Sequence, residues 1–98
     1  MIPVLKENTP EIIHKLTSAG ISVCCCVDFK ESVWLDYTGA TPYQVHGVGY
    51  PCEEMGTKTI EEELKRFEAE NKDIVYCKDV DEFINKIKEI ENGRSNKE

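Results

Sequence analysis

The sequence predicts a single α+β domain. Three observations carry this: three capped stretches of helical apolar spacing, a period-two alternation from Ile21 to Tyr37, and a short β-type run at Ile74–Cys77 between two of the helices. A chain of 98 residues has room for one hydrophobic core and no second. The expected domain spans residues 1–93, and residues 94–98 read as a disordered polar tail.

The first helix has Thr9 as its cap and Pro10 at its first position, where a missing N–H costs nothing. Ile12, Ile13, Leu16 and Ala19 share a face, and Gly20 supplies the stop. From Ile21 to Phe29 the period becomes two, with Ile21, Val23, Cys25, Val27 and Phe29 opposite Ser22, Cys24, Cys26 and Asp28. A polar turn at Lys30-Glu31 leads to a second strand over 32–37, so the pair reads as a hairpin.

Tyr43–Tyr50 is the third strand candidate, weakened by Gly47 and Gly49, and Pro51 ends it. Thr59 with Glu62 three residues on forms a capping box for the second helix, whose apolar stripe is Ile60, Leu64 and Phe67. Asp79 and Glu82 repeat that device for the third helix. Its stripe is Val80, Phe83, Ile84, Ile87 and Ile90, and Gly93 is its expected end. The order α-β-β-β-α-β-α suggests a four-stranded mixed sheet, mostly antiparallel, with the helices packed on one face. The connection through the second helix is spaced for a right-handed crossover, which makes the last strand parallel to a neighbour.

Charge limits the function. The net charge is −7, and most of it lies in the helical half: residues 1–52 carry 3 basic and 5 acidic side chains, residues 53–98 carry 9 and 14. An acidic surface repels phosphates, so nucleic acid is not an expected partner. Solvating charge on helix surfaces accounts for the excess, although an acidic inhibitor or immunity-type protein facing a basic partner would also carry it. Residues 1–5 are too short for a secretory h-region, and no apolar run reaches membrane-spanning length, so no membrane association is expected. Five cysteines, three of them consecutive at 24–26, read as reduced thiols in a cytoplasm, because neighbours on a strand point to opposite faces.

No catalytic motif emerges and no cofactor is expected. The Glu63-Leu64-Lys65 triplet has nuclease-like spacing but lies on a helix. The segment 43–50 holds two glycines without phosphate-loop spacing and reads as a bulged edge strand. Cys24, Cys26, His46 and Cys52 could supply a thiol or metal site, but no zinc-module spacing is present and buried cysteine packs as a small hydrophobe. Of the two histidines, His14 sits on the first helix, while His46 could pair with Asp36 or Cys52 in an enzyme of unrecognised type.

The remaining feature is the second face of the sheet. It would carry Trp34, Cys24 and Cys26 with His46, Val48 and Tyr50, more apolar than a solvated face. The expectation is therefore a non-enzymatic interaction module, binding a protein partner or itself as a homodimer through the face bearing Trp34. Thiol or metal binding is the alternative.

Overall fold

A computed structural model describes residues 1–24, 33–51 and 53–95. Among these, strands β1 (Ile2–Leu5), β2 (Ser22–Val23), β3 (Trp34–Asp36), β4 (Gln44–Val48) and β5 (Ile74–Cys77) form one sheet in the order β2-β4-β3-β1-β5. The helices are α1 (Pro10–Ser18), α2 (Ile60–Glu70) and α3 (Val80–Ser95), with a 3₁₀ turn at Glu53–Met55 before α2.

The α+β class stands as the sequence predicts, and so do the helix starts. The Thr9 hydroxyl accepts from the Ile12 N–H, Thr59 Oγ1 accepts from the Glu62 N–H at 3.2 Å, and Asp79 Oδ1 accepts from the Glu82 N–H at 2.9 Å. Gly20 takes the left-handed backbone (φ +84°) just beyond α1, although a Cβ there would have open space around it. Gly93 does not end α3, which runs two residues further to Ser95.

The sheet has five strands, not four. The added strand is β1, at the centre of the order, antiparallel to β3 (Val4 opposite Asp36) and parallel to β5 (Val4 opposite Tyr76). A proline in a central strand is unusual because it cannot donate to the ladder. Here Ile2 donates toward β5, to the Asp73 carbonyl, and Pro3 uses only its carbonyl, accepting from the Tyr37 N–H at 3.0 Å. The missing donor falls at the end of the β1–β3 ladder, where its loss costs least.

Two ladders are parallel (β1 with β5, β2 with β4) and two antiparallel (β1 with β3, β3 with β4), so the sheet is evenly mixed and not mostly antiparallel. The hairpin expected from 21–29 and 32–37 is not formed by the described residues: β4 lies between β2 and β3, and the turn at Lys30-Glu31 is outside the described residues. A parallel partner for Val23, namely Val45, takes the place of an antiparallel one.

The core cluster joins Leu5, Leu35, Tyr37, Val45 and Cys77 of the sheet side to Ile12 and Leu16 of α1 and Val80, Phe83 and Ile87 of α3. No α2 residue belongs to it. The crossovers β1–α1–β2 and β4–α2–β5 traverse the sheet in opposite directions, and right-handed crossovers of opposite direction leave their helices on opposite faces. Contacts agree. Glu68 of α2 accepts a short hydrogen bond from Tyr76, the residue that alternates with core-facing Cys77. Thus α1 and α3 share one face while α2 crosses the other, so the helices do not all pack on one face as the sequence suggests: the two crossovers run in opposite directions.

A buried polar link closes the core. The Tyr37 hydroxyl, fully buried, donates to Glu91 near the end of α3 and accepts from the Tyr43 N–H at 3.0 Å. Tyr43 adopts a left-handed backbone (φ 57°), and its carbonyl accepts from both the N–H and the hydroxyl of Ser22. Tyr37→Phe leaves buried polar groups without this hydroxyl and should cost about 1–3 kcal/mol. Urea denaturation of the two proteins, read as a lowered midpoint with unchanged slope, checks it.

Candidate functional site

Alternation along each strand fixes which side chains share the second face. Leu35, Val45, Leu5 and Cys77 point to α1 and α3, and Val23 packs against the same cluster. Their neighbours Asp36 and Trp34, His46 and Val48, Val4, Tyr76 and Cys24 therefore point the other way.

The register then sets them in rows. Asp36 lies opposite His46 in the β3–β4 ladder. Val23 lies opposite Val45, and the Cys24 N–H donates to the Val45 carbonyl at 2.8 Å, which brings Cys24 level with His46. Val4 lies opposite Asp36 on the other side, and Tyr76 opposite Val4. One row thus reads Cys24, His46, Asp36, Val4, Tyr76 across five strands spaced about 4.8 Å apart. Val48 and Trp34 are opposite each other in the next row, which Lys6 continues.

Burial grades along this face. Val4 and Asp36 are buried, Cys24, His46 and Trp34 half-buried, and Tyr76 is 42% exposed. Burial pushes the Asp36 carboxyl up to about 6, against the attraction of His46 and a bond to its own backbone, which both lower it. Desolvation wins because Asp36 is buried and the two lowering contributions are smaller than the lost hydration.

At the β5 end the Lys6 ammonium lies 4.9 Å from the Trp34 ring centre and 4.3 Å from that of Tyr76. The two rings meet edge to face, 6.1 Å apart at 82°. A cation over ring faces is attracted by their quadrupoles, so Lys6, itself exposed, fastens the corner from its solvent side. Burial and the Glu68 carboxylate push the Tyr76 phenol up to about 12, so it is neutral and donates.

α2 covers part of the face from the β4 side. Its deepest side chain is Glu63, held by Arg66 through an Nε–H donor at 2.7 Å and an Nη2 donor at 2.8 Å. The expected stripe is shallower: Leu64 and Phe67 are half-buried and Ile60 exposed. Glu63 is thus committed to an ion pair with Arg66, and the Glu63-Leu64-Lys65 triplet lies on a helix as the sequence predicts.

Of the residues expected on this face, Trp34, Cys24, His46 and Val48 share it, and Tyr50 is half-buried just beyond β4. Cys26 lies outside the described residues, as does Cys52. Of the thiol set, Cys24 and His46 therefore come together in the described structure. His14 is exposed on α1, on the far side of the core. Sequence reasoning missed Lys6, Val4 and Tyr76. The signal lay in the apolar run before Lys6, which sets Lys6 at even spacing from Ile2 and Val4.

Among the described residues no group of three His, Cys, Asp or Glu side chains could hold a metal ion. Cys24, His46 and Asp36 lie in a line and do not converge on a point. No described helix is long and apolar enough to cross a membrane. This chain matches no family model, no curated protein and no solved structure.

Proposed function

We propose that this chain is a small interaction module, non-enzymatic in its main role, that pairs with a second copy of itself through the sheet face bearing Trp34. The observation that carries the reading is the aromatic corner at β5. Tyr76 is 42% exposed on an outer strand, edge to face with half-buried Trp34, and half-buried Ile74 shares its side of β5. Aromatic side chains held rigidly by their neighbours lose little freedom on contact, and such residues concentrate at the centres of interfaces.

Charge is arranged to permit it. Lys6, Lys72 and Lys78 lie on or beside β1 and β5 and are matched by Glu7, Asp73 and Asp79, so the ends of these two strands carry no net charge.

Sedimentation equilibrium at ~100 µM should give the mass of a dimer, since a contact with Kd below that concentration is populated there. Tyr76→Gln, an exposed position, should leave the circular dichroism spectrum intact and return the protein to a monomer. A monomeric parent protein under these conditions overturns the reading.

A further inference from the structure

The row at the other end of the sheet goes beyond self-association and does not rest on it. We infer that Cys24, His46 and Asp36 form a reactive-thiol site, in which His46 takes the Cys24 proton and Asp36 positions His46, and that its co-substrate is a hydroperoxide. The three side chains stand on adjacent strands in the linear order nucleophile, base, acid. A thiol becomes a nucleophile when a base accepts its proton, and a base acts best when a third group holds its ring.

Each member has the exposure its role requires. Cys24 is half-buried beside β2, the outer strand among the described residues, and Asp36 is buried behind His46. A peroxide needs no large pocket. Among the described residues the other charged groups on this face are Lys6, two strands from His46, Glu68 on α2, which is bonded to Tyr76, and Glu63 on α2, whose charge Arg66 matches.

The step balances. The Cys24 thiolate attacks one peroxide oxygen and forms an S–O bond as the O–O bond breaks. Sulfur is oxidised by two electrons to a sulfenic acid, and the departing hydroxide takes the proton held on His46 and leaves as water.

Cys77 is the internal reference, a buried thiol that burial and nearby Glu82 push up in pKa. The intact protein is treated with hydrogen peroxide and dimedone, and labelled cysteines are located by fragmentation mass spectrometry. Cys24 should be labelled at least about tenfold faster at pH 7 than the same cysteine in the urea-unfolded chain, because the unfolded thiol is only a few per cent thiolate there. His46→Ala should remove that advantage while Cys77 stays unlabelled, which shows that the variant is folded. Should His46→Ala expose Cys77, His46→Gln replaces it. Asp36→Asn should move the pH midpoint of Cys24 labelling toward that of the unfolded chain, a shift that a purely structural role would not produce. Labelling of Cys24 no faster than in the unfolded chain, or unaffected by the His46 variants, overturns the site. A dimer that fails to form would leave this result untouched.

Discussion

Removal of residues 1–5 abolishes the cooperative fold. β1 stands between β3 and β5, so its loss cuts the sheet into two parts joined by no ladder. Pro3, Val4 and Leu5 are all fully buried, Leu5 in the main cluster and Val4 on the second face. At about 1.5–3 kcal/mol for each buried apolar side chain, their burial contributes roughly 5–9 kcal/mol. A domain of this size has about 5–15 kcal/mol in all, so the loss takes most or all of the reserve. The truncated chain should show no sigmoidal thermal transition by circular dichroism, and collapsed amide dispersion by NMR. A milder version is graded: Leu5→Ala should keep the fold and lower stability by about 2–5 kcal/mol, read from the urea midpoint. A truncated chain that melts cooperatively near the parent temperature would show that β1 only decorates the sheet.

That strand is also where the sequence pattern is least informative. Ile2-Pro3-Val4-Leu5 is four residues long, shows no alternation, and contains the residue least expected in a central strand. Its assignment depends on long-range pairing with 34–36 and 74–77, which no local period reports. Helix ends are legible because a cap is local. Thr9, Thr59 and Asp79 each bond a backbone N–H three residues on, within the window that a sequence pattern spans. Gly93 misleads for a related reason: glycine is permitted at a helix end but does not compel one.

The candidate site divides in the same way. Alternation puts Cys24 and Trp34 on a common face and leaves His46 and Val48 to join it depending on register, which the β3–β4 pairing supplies. Which of them become neighbours depends on strand order. With a β2–β3 hairpin, Cys24 would stand near Trp34 or Asp36. With β4 inserted, His46 stands between Cys24 and Asp36, and a nucleophile, a base and an acid fall into sequence. The helix covering that face is hidden because α2 buries a charge: Glu63 lies deeper than Ile60 or Leu64, and only its pairing with Arg66 makes that tolerable.

Asp36→Asn should stabilise the protein at neutral pH. The Asp36 carboxyl titrates near 6 in the fold against an ordinary 3.8, so the fold prefers its protonated form. The stability that this group contributes is fully present below about pH 3.8 and lost as pH rises through 6. A displacement of this size corresponds to about 3 kcal/mol between the two protonation states, set against the ionised carboxylate at pH 7. Asparagine has nearly the same shape and no charge to desolvate. The variant should therefore exceed the parent by up to about 3 kcal/mol at pH 7, with the gap closing toward pH 4. Urea midpoints measured from pH 4 to 7.5 check both the sign and the closure. Burial and His46 pull in opposite directions here, and the experiment decides between them. A variant that is less stable than the parent at pH 7 would mean that attraction to His46 outweighs the lost hydration, making the pair an ion pair in the resting protein. The stabilising outcome has its own consequence: a chain that keeps an acid in a buried row at a cost to its stability keeps it for what the row does.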